Sequence, residues 1–223
     1  ENTLAGIRLA ASLGYKAVEF DVMLSGDGTP VLIHDETLER TTNGSGLVSD
    51  TPDSKLFVFD AGGGEPIPSF AEAAALCREL GLLANIEIKP AAGYEIETAT
   101  RVAVLAANLW RDTAIQPLIS SFSLEVLEVA RDLAPQIPRG ILFEAVPRDW
   151  LVEMKRLQAL TLHCCADLLT DAVLDQAAAL HIPVLCYTVN SPTQAKILLQ
   201  RGVAAMFTDR LDLFADETST YKR

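Results

Sequence analysis

The sequence predicts an α/β fold of the (β/α)8, or TIM-type, barrel class. Short β-rich runs alternate with helical patterns along the chain, which is typical of parallel strands joined by helices. The length of 223 residues suits one barrel domain, and no low-complexity tract or internal repeat interrupts the alternation. We therefore expect residues 1–223 to form a single domain.

The elements follow one another in strand-helix order. The apolar runs predict parallel strands at 17–22, 83–88, 117–122, 139–143, 161–165, 184–189 and 205–208. The helical patterns predict helices at 4–13, 69–80, 95–110, 124–133, 149–158, 171–180 and 192–200. Ser69, with Glu72 three residues later, has the spacing of a capping box, and Gly81 stands where a helix is expected to stop.

One short run does not fit this alternation. Residues 31–34 follow Asp21 after the turn-rich segment SGDG at 25–28, whereas a parallel crossover needs about a dozen residues or more. We therefore expect an antiparallel hairpin that returns His34 to the end of the sheet where Asp21 lies. Because this leaves seven predicted parallel strands where a barrel has eight, we also expect a first strand ahead of Glu1.

The composition restricts the partners of the chain. The formal net charge is −12 and the pI is about 4.6, so the field of the protein repels nucleic acid and acidic lipid surfaces. No apolar run approaches the roughly 20 residues of a membrane span, and we expect no stable membrane association. An acidic protein that binds a phosphate needs a local positive centre, which a divalent cation can supply.

The cysteines indicate the compartment. Cys77, Cys164, Cys165 and Cys186 have neither the spacing of a zinc site nor the density of a disulfide scaffold. We interpret them as buried thiols of a protein in a reducing, cytoplasmic compartment.

Glu19 and Asp21 in AVEFDVM form the first candidate motif. Residues two apart on a strand share a face, so the two carboxylates point one way while Phe20 and Val22 point the other. A strand with one face in solvent shows the same alternation, and for an isolated E-x-D that interpretation is favoured.

A second pair of charged residues favours a metal site over a solvent-facing strand. Glu87 and Lys89 in NIEIK share a face at the C-terminal end of another predicted strand, the end that carries the active site in β/α barrels. Three carboxylates suit Mg²⁺ or Ca²⁺, and Lys89 suits a phosphate oxygen. A Glu87–Lys89 ion pair inside the barrel is the alternative. We favour metal and phosphate binding because Glu19 and Asp21 would otherwise be uncompensated.

The chain has three histidines. His34 in VLIHDETLERTTNGSG is predicted at the same rim as Glu19 and Asp21, and imidazole titrates near neutral pH, which suits proton transfer at a phosphodiester oxygen. His163 ends a strand and either lines the pocket or is a rim histidine bonded to the backbone. His181 is predicted at the opposite, N-terminal end of a strand, and we assign it no role.

The motifs occur in a recognisable order: ENTLAG, VEFDV, PVLIHDETLERTTNGSG, ANIEIKP, ISSF, YTVN and FTD. Together they resemble the glycerophosphodiester phosphodiesterase family across nearly the whole chain, and most closely its short cytoplasmic bacterial form linked to glycerol-phosphate uptake. The resemblance implies a (β/α)8 barrel and metal-dependent hydrolysis of small glycerophosphodiesters to glycerol 3-phosphate and an alcohol.

The resemblance also implies roles for individual residues. One divalent cation, Mg²⁺ or Ca²⁺, would be held by Glu19, Asp21 and Glu87. His34 would transfer a proton, and Lys89 would make a catalytic contact to phosphate or substrate. Glu1 would lie beside the active site as a substrate-binding residue. Phe122 and Tyr187 are predicted at strand ends, where their rings could contact glycerol or belong to the core.

Two features of the family are absent from the sequence. The family carries an H-R-G motif, with a second catalytic histidine, shortly before the position of Glu1, and an insertion between the segments that match 59–62 and 64–70. We expect both in the intact protein, the insertion as a mobile rim segment. A chain that truly began at Glu1 is expected to be a poor catalyst.

Two other functions remain open from the sequence. A related barrel phosphodiesterase that cleaves phosphoinositides or sphingomyelin would use the same carboxylates and histidine, but it needs a membrane-facing apolar or basic rim. A catalytically inactive, ligand-binding barrel is the alternative that the missing H-R-G favours. The sequence also leaves open the alcohol, the oligomeric state, and attack through a cyclic phosphate or directly by water.

Overall fold

Parallel strands, each followed by a helix, build most of the chain. The computed structural model describes residues 1–214, which divide into two compact units, one spanning Glu1–Ile137 and one beginning at Pro138. Strand-helix alternation is present within each unit, as the sequence predicts. The assignment of residues 1–223 to a single domain stays a prediction.

The first unit contains a sheet in the order β2-β1-β3-β4. Its strands are β1 (Ala17–Leu24), β2 (Pro30–Leu32), β3 (Leu83–Ile88) and β4 (Leu118–Ser121). Its helices are α1 (Leu4–Ser12), α2 (Asp53–Leu56), α3 (Phe70–Leu80), α4 (Glu95–Leu109) and α5 (Leu124–Leu133). Strand β3 pairs in parallel with β1 and β4, whereas β2 pairs antiparallel with β1. The predicted hairpin is therefore confirmed.

The second unit contains parallel strands in the order β5-β6-β7-β8. Its strands are β5 (Arg139–Phe143), β6 (Thr161–Cys165), β7 (Val184–Tyr187) and β8 (Ala205–Met206). Its helices are α6 (Trp150–Leu157), α7 (Asp171–Ala179), α8 (Pro192–Gln200) and α9 (Leu211–Phe214). The second unit thus has the repeated β/α pattern that the sequence predicts.

Several local signals act as expected. Ser69 caps α3 in a capping box with Glu72, and Gly81 ends this helix in the left-handed conformation, with φ 66°. The sequence does not predict α2 and α9, because a helix of four residues is too short to show a helical period. No helix in the described part of the chain is both long and apolar enough to cross a bilayer.

Aromatic residues fill part of the core of each unit. In the first, the ring of Phe70 lies 6.1 Å from that of Phe20 and 6.2 Å from that of Trp110, centroid to centroid. In the second, Trp150 is 1% exposed and its indole N–H donates to Gln176 Oε1 at 3.2 Å. Both tryptophans are buried, and the indole N–H of Trp150 is hydrogen-bonded as burial requires.

An apolar cluster anchors the long segment between β2 and α3. The fully or nearly fully buried residues of this cluster are Met23, Val31, Ile33, Leu38, Val48, Leu56, Ile67 and Ala91. Ile33 and Leu38 flank the stretch that carries His34, so the backbone on both sides of this histidine is fixed by packing although little of the segment is regular.

The segment between residues 59–62 and 64–70 forms a tight turn, and the insertion expected here in the intact protein stays a prediction. Ala61 N–H donates to the Glu65 carbonyl at 2.7 Å, and Asp60 bridges to Pro66 in an antiparallel pair. The Asp60 carboxylate accepts the N–H groups of Gly62 at 2.7 Å and Gly64 at 3.0 Å. The junction is therefore a short, hydrogen-bonded glycine turn.

Candidate active site

Three carboxylates meet where the parallel strands β1 and β3 pair. The register of the two parallel strands places Asp21 opposite Glu87 and Glu19 opposite Asn85. One oxygen from each of Glu19, Asp21 and Glu87 lies within 4.8 Å of the oxygens from the other two. The structure therefore brings together the three residues that the sequence predicts as metal ligands.

Burial makes two of these carboxylates costly to ionise. Asp21 is 5% exposed and Glu87 is 8% exposed, whereas Glu19 is exposed. Burial, and next the charge of Asp21, raises the pKa of Glu87 to about 7, and Lys89 partly opposes this. Burial also raises the pKa of Asp21, against a hydrogen bond from Asn2. A hard divalent cation fits this all-oxygen set, because its charge offsets the repulsion between the carboxylates.

Asn2 holds Asp21 in place. Its side-chain N–H donates to Asp21 Oδ2 at 2.9 Å, and its side-chain carbonyl accepts the backbone N–H of Asp21 at 3.0 Å. Asn2 has a positive φ of 51°, which asparagine tolerates better than most residues. Asn2 thus engages Oδ2 of Asp21, whereas Oδ1 is the oxygen nearer to Lys89 Nζ, at 3.9 Å. Asn2 belongs to the motif ENTLAG, but no spacing in the sequence indicates its contact with Asp21.

We expect Asn2→Ala to weaken Mg²⁺ or Ca²⁺ binding by about 10- to 100-fold, the usual effect of removing a residue that orients a metal ligand. Asn2→Gly is the matched control, because glycine adopts the positive φ without strain and removes only the hydrogen bonds. Isothermal titration calorimetry measures both. Equal losses in the two variants would assign the effect to the hydrogen bonds, and unchanged affinity in both would contradict an orienting role for Asn2.

His34 lies between two charged partners. Its Nδ1 is 2.6 Å from Asp35 Oδ1, and its Nε2 is 2.7 Å from the Nζ atom of Lys89. Lys89 Nζ is also 3.9 Å from Asp21 Oδ1. Lys89 thus connects the histidine to the carboxylate cluster, so His34, Lys89 and the three carboxylates form one continuous site, as the predicted hairpin requires.

Arg40 connects Asp35 to Glu1. Its guanidinium donates to both carboxylate oxygens of Glu1, at 2.9 and 2.6 Å, and to both oxygens of Asp35. The hydrogen bond from Arg40, and next that from His34, holds the pKa of Asp35 well below its usual range. Neither Asp35 nor Arg40 carries a sequence signal for this role, because both lie within a segment without strand or helix periodicity.

Phe122, Tyr187 and His163 are the other candidates that the sequence indicates. Phe122 follows the last residue of β4 and is 47% exposed. In the second unit, the hydroxyl of Tyr187 donates to the carbonyl of Phe143 at 2.9 Å. His163 is fully buried there with Nε2 2.8 Å from Thr161 Oγ1, and burial lowers the pKa of His163 to about 4. The partner of Nε2 is thus a side chain, so the alternative of a backbone-bonded histidine is not supported, and a place for His163 in the pocket stays a prediction.

These features define a class of protein. Carboxylates and a lysine at the C-terminal ends of adjacent parallel strands, with a histidine beside the lysine, form a site suited to metal-assisted chemistry on a phosphate ester. The chain belongs to the Glycerophosphoryl diester phosphodiesterase family, whose sequence profile matches residues 1–213. The family resemblance seen in the motifs is therefore confirmed.

Individual relatives agree with this assignment. The chain is 30% identical over 217 residues to a glycerophosphodiester phosphodiesterase of Caldanaerobacter subterraneus, covering 94% of this chain and 88% of the relative. It is similar to an Oleispira antarctica phosphodiesterase solved in complex with the product sn-glycerol-3-phosphate, at 34% identity and a TM-score of 0.92, covering 99% and 91% of the two chains. A glycerophosphodiester phosphodiesterase of Agrobacterium tumefaciens matches at 26% identity and a TM-score of 0.80, covering 97% and 93%. These neighbours are TIM-barrel enzymes, so the predicted fold class is confirmed.

Proposed function

We propose that this chain hydrolyses small glycerophosphodiesters to sn-glycerol 3-phosphate and an alcohol, with one divalent cation bound by Glu19, Asp21 and Glu87. The main observation behind the proposal is that the three carboxylate oxygens converge within 4.8 Å. The relative from Oleispira antarctica, bound to sn-glycerol-3-phosphate, supports the product class.

The side chains around the carboxylates suit the reaction. A divalent cation supplies a Lewis acid for a phosphate oxygen when it is bound. Lys89 adds a donor for a second phosphate oxygen, and its Nζ lies 2.7 Å from His34 Nε2. A phosphate that accepts from Lys89 therefore places an ester oxygen near His34, which moves a proton to or from that oxygen through Nε2.

Glu1 and the aromatic residues complete the proposed substrate contacts. Glu1 and His34 line the same shallow pocket as Ile33 and Thr42. A carboxylate beside hydroxyl groups suits a glycerol hydroxyl, which is a donor. We assign the glycerol moiety to this pocket, and we keep Phe122 and Tyr187 as candidate contacts for it.

The ion is proposed to be Mg²⁺ or Ca²⁺. Both prefer oxygen ligands, and the site offers carboxylates without sulfur or imidazole ligands among the described residues. Because Asn2 engages Asp21 Oδ2, Asp21 would bind through one oxygen, a mode that both ions accept. Titration of the metal-free protein with each ion would separate the two.

We also propose a cytoplasmic location and a small-molecule substrate as the partner. The thiols of Cys77, Cys164 and Cys186 are free and buried, as suits a reducing compartment. The net charge of −12 disfavours nucleic acid and anionic membranes as partners.

We expect exhaustive treatment with EDTA to abolish turnover of glycerophosphocholine, because the cation offsets charge at both the carboxylates and the phosphate. Addition of Mg²⁺ or Ca²⁺ should restore the activity. The release of sn-glycerol 3-phosphate, coupled to an enzymatic assay, measures both steps. Full turnover after chelation would contradict the metal-dependent proposal, and no turnover with any metal would favour a ligand-binding protein instead.

A further inference from the structure

We infer that Asp35 and Arg40 are positioning residues for His34, which fix the imidazole with its proton on Nδ1 and leave Nε2 to exchange a proton with the substrate. The inference rests on the proposed function, because it concerns how the same site orients its proton-transfer group. Neither residue touches the carboxylate cluster through any contact found in the described residues.

The two neighbours of the imidazole require the same tautomer. An ionised carboxylate only accepts hydrogen bonds, so Asp35 Oδ1, 2.6 Å from Nδ1, requires a proton on Nδ1. A lysine ammonium only donates, so Lys89 Nζ, 2.7 Å from Nε2, requires a lone pair on Nε2. The two contacts therefore favour the Nδ1–H tautomer of His34, with Nε2 accepting from the lysine that we propose binds the phosphate. A carboxylate that bonds the other ring nitrogen orients catalytic and metal-bound histidines in the same way.

Arg40 fixes the direction of the Asp35 carboxylate. A guanidinium is a planar fork of donors, and here it bonds both oxygens of Asp35 and both oxygens of Glu1. A lysine at this position would keep the charge but could not form two paired contacts. Since Glu1 lines the pocket with His34, Arg40 also holds the proposed substrate residue and the proton-transfer residue at a constant separation.

The backbone that carries these side chains is firmly held. Ile33 and Leu38 are 2% and 0% exposed, and both belong to the apolar cluster. Leu38 N–H donates to the Gly46 carbonyl at 3.0 Å, and Val48 N–H donates to the Glu36 carbonyl at 2.9 Å. The side chains of Asp35 and Arg40 are 28% and 49% exposed, so their ion pair adds little to stability. Substitutions here should therefore fold, and their effect should fall on catalysis.

The test compares Asp35→Asn, Arg40→Gln and Arg40→Lys with Glu36→Gln, a change at an exposed carboxylate next to Asp35. Nitrogen-15 NMR of the three histidines, with His34 assigned by its loss in His34→Asn, reports the tautomer directly. Steady-state kinetics with glycerophosphocholine separates kcat from KM, and calorimetry with Mg²⁺ reports the carboxylate cluster independently of turnover.

In Asp35→Asn the neutral amide can either accept from Nδ1–H or donate to Nδ1, and Lys89 alone favours Nδ1–H, so we expect a mixture of the two tautomers and a fall in kcat of about 10- to 100-fold. KM and Mg²⁺ affinity should stay near the wild-type values. Arg40→Gln and Arg40→Lys should both lower kcat, because the charge alone does not reproduce the fork, and Glu36→Gln should change nothing.

The inference is overturned if Asp35→Asn leaves the proportion of the Nδ1–H tautomer at the wild-type value, or if that proportion falls while kcat does not. Rescue of kcat by Arg40→Lys would overturn the role of Arg40. A wild-type protein that binds Mg²⁺ but does not cleave glycerophosphocholine would refute the proposed function, and the NMR comparison would still decide whether Asp35 sets the tautomer.

Discussion

Glu87→Gln is expected to abolish metal-dependent turnover while making the metal-free protein more stable at pH 8. The amide keeps the size of the side chain and removes its charge, so the cation loses one of three carboxylates. Loss of even part of the several kcal/mol that a Lewis acid contributes lowers kcat by about 100-fold or more. The same change removes the free-energy cost of burying a negative charge, because Glu87 is 8% exposed and lies opposite Asp21.

The sign of the stability effect follows from the raised pKa. The pKa of Glu87 is about 7 in the folded protein against a model-compound value of 4.5, so the folded state holds this proton more tightly than the unfolded state does. The metal-free protein therefore loses stability as the pH rises from about 4.5 to 7, by about 3 kcal/mol if Glu87 acts alone. Glu87→Gln should remove this loss at pH 8 and have little effect near pH 4.5.

Thermal unfolding at pH 5 and pH 8, with and without saturating Mg²⁺, measures these effects. The wild-type protein should gain stability from Mg²⁺ through binding to the folded state, and Glu87→Gln should gain almost none. Glu79→Gln is the matched control, since Glu79 is exposed on α3. The assignment fails if Glu87→Gln responds to Mg²⁺ as the wild-type protein does, or if the metal-free variant is less stable at pH 8.

His34→Asn is expected to lower kcat for glycerophosphocholine by about 100- to 10,000-fold, the range for loss of a general acid or base. Asparagine retains a polar side chain that can bond Asp35 or Lys89, but it cannot carry a proton to or from an ester oxygen. Metal affinity should not change, because the three carboxylates that converge do not include this residue.

His181→Asn is a close control for this substitution. His181 is exposed at the end of α7 and has a φ of 56°, a conformation that asparagine adopts readily. We expect His181→Asn to retain wild-type kcat, KM and Mg²⁺ affinity. Comparable losses of kcat in the two variants would remove the case for proton transfer by His34.

Regular elements and the carboxylates could be anticipated from the sequence because their spacing carries the information. The predicted limits of β3, β5 and β6 match the structure, since apolar runs of strand length are bounded there by turns. The spacing of two residues in E-x-D and E-x-K also fixes which side chains share a face. The hairpin followed from loop length alone, because the connection after β1 is too short for a parallel crossover.

The contacts that orient the site could not be anticipated in the same way. Arg40 bonds Glu1 across 39 positions of sequence, and Asn2 bonds Asp21 across 19 positions. Both lie in segments without a strand or helix period, where the meeting of two side chains depends on how the backbone folds rather than on spacing. The turn at residues 60–65 was not anticipated either, because it depends on the Asp60 carboxylate accepting the backbone N–H groups of Gly62 and Gly64.

The two tryptophans give each unit its own optical reporter. Trp110 belongs to Glu1–Ile137 and Trp150 to the part that begins at Pro138, and both are at most 3% exposed. Replacing either one by phenylalanine would leave a single tryptophan, whose fluorescence emission shifts to longer wavelength when unfolding exposes it to water. Denaturant curves of the two single-tryptophan proteins would show directly whether both halves of this hydrolase melt in one cooperative step.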